Sequence, residues 1–342
     1  MNNKLLDFIS NSFLSTYIVD SNITDVSFNG ESIFYQHNFL GRRKGDIQIS
    51  KEEASDFVRQ IANLSEKQFS YAEPVLDISI GKFRINAVHS SLCRVKDEKA
   101  ISFSVRIGSY ESKIKDDKDF MPKEIHEFLL KLIRRHESMV IAGATGTGKT
   151  ELQKYLLSLI PSYTRVIIID NIQELDNIRS NEDLDITTWQ VSKNENGSFE
   201  ALIKNALRSN PDWLVIAESR GKEMIYILNS VMTGHPIITT IHAKSSKMIP
   251  HRMVRMIQMG DKSQTYEELI GDIYEHIKYY IYLDKTVDED GIIHRYIDEI
   301  SAVENNELKL IYKKGEINYE DSINCRNSKR SSSRSVSVSS HK

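Results

Sequence analysis

Between residues 138 and 160 the chain passes from an apolar strand through a glycine-rich turn into a helix. Ser138-Met139-Val140-Ile141-Ala142 has the length and composition of a buried strand, and Leu152, Tyr155, Leu156, Leu159 and Ile160 recur at helical spacing. Between them stands Gly143-Ala144-Thr145-Gly146-Thr147-Gly148-Lys149-Thr150, which satisfies G-x-x-x-x-G-K-[ST] at each fixed position. The glycines admit backbone dihedrals closed to other residues, so successive N–H groups can converge on one centre, and the start of the following helix adds its dipole. Such a loop holds phosphate. Lys149 is placed to reach the β- and γ-phosphates of a nucleotide, and Thr150 to offer its hydroxyl to Mg²⁺. ATP and Mg²⁺ are the expected ligands, with Gly143, Ala144, Thr145, Gly146, Thr147, Gly148, Lys149, Thr150 and Glu151 as the binding residues.

Strand-loop-helix at this point fixes the class of the surrounding domain. Arg165–Asp170 (RVIIID), Trp213–Ala217 (WLVIA) and Pro236–Ile241 (PIITTI) are further continuous apolar runs separated by helical patterns. Strands without polar alternation belong in a sheet covered on both faces, so this domain is predicted to be α/β. After it, Ile277–Leu283, Ile292–Val303 and Leu308–Tyr312 read as hairpin strands, with Glu289-Asp290-Gly291 at one turn.

The 342 residues allow two domains and a tail. Residues 1 to 110 mix short strands, such as alternating Ile78, Ile80, Phe83 and Ile85, with helical stretches, and are predicted to form a smaller α+β domain with no complete catalytic motif. Residues 111–120 (ESKIKDDKDF) are charged and precede Met121-Pro122, which marks a linker before a new helical pattern at Ile125, Phe128, Leu129 and Leu132. The ATP-binding domain is then expected over 121–315. Residues 316–342 are read as a disordered tail, whose end, RNSKRSSSRSVSVSSHK, is serine-rich and basic without an acidic residue. A solvated tail without a specific role, an anionic membrane surface and a nucleic acid are each compatible with it.

A net charge of −3 gives no reason to expect nucleic-acid binding by the whole chain, and the folded region shows no basic patch with interleaved aromatics. Two distant cysteines, Cys93 and Cys325, form neither a disulfide framework nor a zinc knuckle, in keeping with a reducing compartment. The first residues, MNNKLLDFIS, lack the features of a signal peptide, and no apolar run approaches the roughly 20 residues that cross a bilayer. A cytoplasmic protein is expected, docked peripherally at the cytoplasmic face if it works at a membrane.

Three segments after the loop end strands in polar residues. Arg165–Leu175 leads to Asp170, Asn171 and Glu174; Ala206–Glu223 delivers Glu218 just past a strand; Val231–Ser246 leads to His242. From a sheet edge a carboxylate can orient an attacking water or hold Mg²⁺. Taken singly, a strand-end acid serves equally well in a turn or cap, and a lone histidine as a structural residue.

Together and in this order the segments resemble the type II/type IV secretion ATPase superfamily, the ring-forming traffic ATPases of secretion, conjugation and type IV pilus machines. The resemblance rests on Ala206-Leu207-Arg208 with Pro211-Asp212, on Glu218, Arg220 and Glu223, and on Thr233-Gly234-His235 with Thr240, His242 and Ala243, all at the family's spacing after the loop. It extends more weakly to Ile23–Gly30, Gly81–Asn86 and Ile101–Arg106, and covers about residues 20 to 305. It implies a RecA-like P-loop NTPase domain behind the smaller N-terminal one, hydrolysis of ATP coupled to interdomain motion, and a homo-hexamer working with inner-membrane secretion or pilus components. It also implies catalytic roles for Glu218, Asp170, Glu174 and His242, Mg²⁺ at Thr150 and Glu218, and Arg84 and Arg106 brought onto the phosphates from the N-terminal domain. Either arginine could equally pair with a surface carboxylate.

The chain departs from the family where Asp170-Asn171 replaces Glu-Asp, where Ala217 replaces a glycine and where Gly221 replaces an aspartate. None of these removes Glu218. The absence of any C-x-x-C pair favours the type IV secretion or conjugation branch over members with a tetracysteine zinc site. A pilus assembly or retraction ATPase, a nucleic-acid translocation or packaging motor, and a nucleotide-binding scaffold of low turnover are the alternatives.

Overall fold

The computed structural model describes residues 2–109, 112, 114, 117, 119–170, 175, 184–192 and 194–316. They fall into two compact units. One is built from the residues up to 109 together with Thr286–His294, and the second from the other described residues.

The first unit opens with helices α1 (Asn2–Ser10) and α2 (Ser15–Val19), followed by strands β1 (Ile23–Phe28), β2 (Ile33–His37) and β3 (Gly41–Lys44). Helix α3 (Lys51–Leu64) leads to β4 (Val75–Ile80), β5 (Phe83–Val88), the short pair β6 (Arg94–Val95) and β7 (Glu98–Lys99), and β8 (Ser102–Ile107). Six of these strands form one sheet in the order β3-β2-β1-β8-β5-β4, every neighbouring pair antiparallel. Alternation decides its faces. Phe83, Ile85 and Ala87 of β5 and Phe103, Val105 and Ile107 of β8 point into the core, which turns Arg84 and Arg106 to the opposite face. The core is closed by α3, whose buried stripe of Ala54, Phe57, Val58, Ile61 and Ala62 follows helical spacing. Ser50 starts that helix with a capping box: its hydroxyl accepts from the Glu53 N–H (3.0 Å) while the Glu53 carboxylate accepts from the Ser50 N–H (2.7 Å). Within this unit the Ile293 N–H donates to the Phe39 carbonyl at 2.7 Å.

The second unit runs through α4 (Lys123–Arg134), β9 (Met139–Gly143), α5 (Lys149–Ser158), β10 (Arg165–Asp170), β11 (Asp185–Gln190), α6 (Phe199–Arg208), β12 (Trp213–Ile216) and α7 (Met224–Met232). It continues through β13 (Ile237–Ile241), α8 (Met248–Gln258), α9 (Tyr266–His276), β14 (Tyr279–Val287), β15 (Ile293–Glu304) and β16 (Glu307–Lys313). The sheet order is β11-β10-β12-β13-β9-β14-β15-β16. Strands β11 to β14 of that series pair in parallel, and β15 with β16 antiparallel. This is the α/β arrangement expected from the apolar strands around the glycine loop, and the RecA-like domain that the resemblance implies, with the predicted hairpin strands added at one side.

The unbroken apolar runs are explained by two cores, one on each face of this sheet. Met139 and Ile141 of β9 and Trp213 and Val215 of β12 face α4 and α5, whereas Val140, Ala142, Leu214 and Ile216 face the layer of α6 to α9. Every residue of β9 is buried for that reason. Of the stretch read as a linker, Ile114 and Phe120 are buried in the core of this second unit, next to Met121. No helix among the described residues is long and apolar enough to cross a membrane.

Because β9 carries the loop and is packed from both sides, its core residues determine how firmly the loop is anchored. Ile141→Ala is expected to lower the unfolding free energy of the chain by about 2–5 kcal/mol, as for other buried aliphatic truncations. Denaturant melts of the variant beside the parent chain measure it, and an unchanged midpoint contradicts the assigned packing.

Candidate nucleotide-binding site

Parallel strands end at a common edge, and here that edge gathers the polar residues. β9 lies between β13 and β14, so the loop that leaves it at Gly143 is flanked by the end of β13, carrying His242, and by the end of β14. β10 and β12 pair with Ile169 opposite Ile216, which puts Asp170 and Glu218 just past one another on adjacent strands.

The loop is built by its glycines. Gly146 (φ 77°) and Gly148 (φ 96°) occupy the left-handed region, where a side chain is strained. Gly143 has an ordinary φ but no room: a Cβ there would stand 2.5 Å from the Thr147 hydroxyl and 2.6 Å from the Leu283 carbonyl. Thr147 is fully buried and donates to the Ala144 carbonyl at 2.9 Å. Lys149 Nζ donates to the carbonyls of Gly143 (3.0 Å) and Ala144 (3.1 Å). The Glu151 carboxylate, in the first turn of α5, is paired with the buried Lys154 at 3.0 Å. Thr150 follows Lys149 in that first turn.

Glu218 stands in a cluster of cations. Its Oε2 accepts from Arg220 Nη2 at 2.6 Å, and its Oε1 lies 2.8 Å from Nε2 of His242. The second contact is an ion-pair distance without hydrogen-bond alignment. Burial, the largest single influence, opposes ionisation of Glu218. The Arg220 hydrogen bond and the charges of Arg220, His242 and Lys149 together outweigh it, and the carboxyl is held below its ordinary value of 4.5. The other ring nitrogen of His242, Nδ1, is 3.1 Å from the Gly143 carbonyl. A carbonyl only accepts, so Nδ1 carries the hydrogen and the ring bridges the phosphate loop to Glu218.

Supporting bonds fix these side chains. The Thr240 hydroxyl donates to the Ala217 carbonyl (2.7 Å) and the Ser219 N–H to the Thr240 carbonyl (2.9 Å), tying β12 and β13 together beside Glu218. Glu223 accepts from the N–H groups of Arg220 and Gly221 (2.8 Å for the latter) and from the Ser219 hydroxyl (3.2 Å). It is the keystone of the turn that presents Glu218. Asp170 is fully buried, and its Oδ2 accepts from the Leu175 N–H at 2.9 Å.

The structure therefore brings the loop, Lys149, Glu218 and His242 together, with Asp170 on the adjacent strand end. Arg84 and Arg106 lie in the first unit, directly opposite one another on β5 and β8, and Arg84 pairs with Asp77 at 3.6 Å. Asn171, Glu174 and the tail from 317 onward lie outside the described residues. Two residues missed in sequence touch the loop: Lys285 Nζ donates to the Thr145 carbonyl (3.0 Å), and Arg295 Nε to the Gly146 carbonyl (2.7 Å). Only the register of β14, with Leu283 opposite Gly143, could have found Lys285.

A glycine loop between a central parallel strand and a helix, with Glu218 and His242 at neighbouring strand ends, defines the P-loop NTPase fold. The chain belongs to the type II/IV secretion system protein family, whose model matches residues 84–277. It is 26% identical to an uncharacterized protein of Bacillus anthracis over 264 residues, covering 75% of this chain and 59% of that relative. The chain thus spans less than two thirds of that relative's length. It is 24% identical over 288 residues to the type IV secretion system protein VirB11 of Bartonella henselae, covering 72% of this chain and 80% of the other. Among solved structures, the Legionella pneumophila ATPase DotB shares the fold with a TM-score of 0.63 at 21% identity, over 85% of this chain and 80% of that one.

The depressed Glu218 carboxyl has a signed consequence for stability. A carboxyl lowered in the folded state stabilises above its unfolded value, and that stabilisation is lost as pH falls through the folded one. The stability margin of the parent chain over Glu218→Gln is expected to shrink as pH falls from neutral through the range below 4.5. Denaturant melts of both proteins across that range measure it, and a margin that grows on acidification contradicts the assignment.

Proposed function

We propose that this chain is an ATPase that hydrolyses ATP at the strand-end site, works as a hexameric ring, and powers a type IV secretion or conjugation machine at the cytoplasmic face of a membrane. The observation that carries the reading is the convergence of Lys149, His242 and Arg220 on an ionised Glu218 beside the phosphate loop. The likeness to a type IV secretion system protein of Bartonella henselae and to a Legionella pneumophila ATPase supports it.

The residues present suit the ligands. Two left-handed glycines and a third position where no Cβ fits form a cradle for phosphate. No group of three or more His, Cys, Asp or Glu side chains among the described residues could hold a metal. Mg²⁺ would accordingly rest on Thr150 and Glu218 together with nucleotide oxygens, the shared mode this cation favours. When bound, ATP supplies the phosphoryl group and Mg²⁺ neutralises part of its charge. Lys149 would exchange its loop carbonyls for phosphate oxygens. Glu218 would orient the attacking water and take its proton, with Asp170 and Glu174 as supporting carboxylates. His242, bonded to the loop and facing Glu218, is placed to register the γ-phosphate.

Residues 1–110 and 121–315 are proposed as the two moving domains, joined at 111–120. Arg84 and Arg106 would close over the phosphate charge from the N-terminal domain, so that loss of the γ-phosphate releases it. A ring completes the site because the strand edge is open: the side chains of His242 and Arg220 are 47% and 60% exposed. Charge stabilisation is weak in water, and a neighbouring subunit would exclude it.

Phosphate release by the purified chain, read with light scattering across protein concentration, tests this reading. Lys149→Ala is expected to abolish turnover, and Glu218→Gln to bind ATP but turn over at least about 10²-fold more slowly. Activity per subunit should rise with appearance of a large species. Parental turnover in Lys149→Ala overturns the assignment of the site, and full activity of a monomer at every dilution overturns the ring.

A further inference from the structure

An anion cradle made of backbone has two sides. If the N–H groups of residues 143–148 are to face a phosphate, the carbonyls of the same peptides must be satisfied elsewhere. Each carbonyl from Gly143 to Gly146 has a side-chain donor. Gly143 takes Lys149 and His242, Ala144 takes Lys149 and Thr147, Thr145 takes Lys285, and Gly146 takes Arg295. The first three donors belong to motifs of the family, whereas Lys285 and Arg295 come from β14 and β15.

Their placement is more than incidental contact. A Cβ on Gly146 would stand 3.3 Å from Lys285 Nζ, and one on Gly148 would stand 3.9 Å from Arg295 Cδ, so the two side chains lie along the glycines with left-handed backbone. Arg295 is half-buried; burial disfavours its charge, and the nearby Glu151 carboxylate partly restores it. A cation kept in such a position gains from an added anion. Lys149, Lys285 and Arg295 together crowd positive charge around one short loop, which a polyphosphate would relieve.

We propose that Lys285 and Arg295 are positioning residues for nucleotide phosphates, holding the carbonyl side of the loop so that its N–H side stays preformed for a di- or triphosphate. The inference rests on the nucleotide-binding reading of this site and adds to it two residues that the phosphate-loop motif does not contain. Neither side chain is required to touch the nucleotide: they act through the peptides of Thr145 and Gly146 and through their charge.

Equilibrium binding of ADP and ATP to the full chain, with melting temperature recorded for each protein, supplies the test. Lys285→Met and Arg295→Met keep the apolar stems and remove the donors, and each is expected to weaken nucleotide affinity about tenfold, the scale of one charge-assisted hydrogen bond. Lys285→Arg and Arg295→Lys, which keep charge and a donor, should recover most of that affinity. In steady-state assays the methionine variants should raise KM for ATP more than they lower kcat. Methionine variants that bind as tightly as the parent chain overturn the inference. So do charge-preserving variants as weak as the methionine ones, which would make the positions ordinary packing sites. A parent chain that binds neither ADP nor ATP instead overturns the nucleotide-binding reading itself, a different and separately visible outcome.

Discussion

The organisation of the second unit follows from the polarity of one short stretch of backbone. A loop that binds phosphate through its N–H groups presents its carbonyls to the protein, and these need donors of their own. The donors arrive from four elements: α5 through Lys149, β13 through His242, β14 through Lys285 and β15 through Arg295. The strand order that places β9 between β13 and β14 is the topology that makes those arrivals possible. Gly143 adds a steric condition, since β14 approaches so closely that a methyl group would meet the Leu283 carbonyl.

A second consequence of the parallel sheet is electrostatic. Glu218 leaves β12 beside the end of β13, within reach of His242 and Arg220, and the accumulated positive charge overcomes the burial that would otherwise neutralise it. A carboxylate kept ionised in a partly dry setting can both orient water and accept a proton. Its rigidity comes from Glu223, which spends its carboxylate on the backbone of the turn. A motif residue thus serves, in three dimensions, as scaffolding for the turn that carries Glu218.

The parts of the site that were legible in sequence are those carried by continuous apolar strands ending in a polar residue. Asp170, Glu218 and His242 each follow such a run, and a parallel sheet brings run ends to one edge without any knowledge of register. Alternation likewise placed Arg84 on a strand, and the resemblance singled out Arg106, but their direct opposition depends on the β5–β8 pairing, which spacing alone does not reveal. Lys285 and Arg295 were invisible because their proximity to the loop is set by pairing across more than a hundred residues. Ile114 and Phe120 were hidden for another reason. Isolated apolar residues in a charged stretch form no period, yet both are anchored in a core. The pairing of the Glu151 carboxylate with Lys154 was not read from the sequence, although the two stand three residues apart on one helix.

The hairpin of β14 and β15 belongs to both compact units, its stem to one and its tip, Thr286–His294, to the other. The first unit is accordingly discontinuous in the chain: its Phe39 carbonyl is met by Ile293, encoded some 250 residues later. An evolutionary exchange that swapped only the leading segment would inherit a foreign tip within the same compact unit. Sequence change in the leading segment should be answered by change in a loop that a linear view assigns to the half carrying the glycine loop.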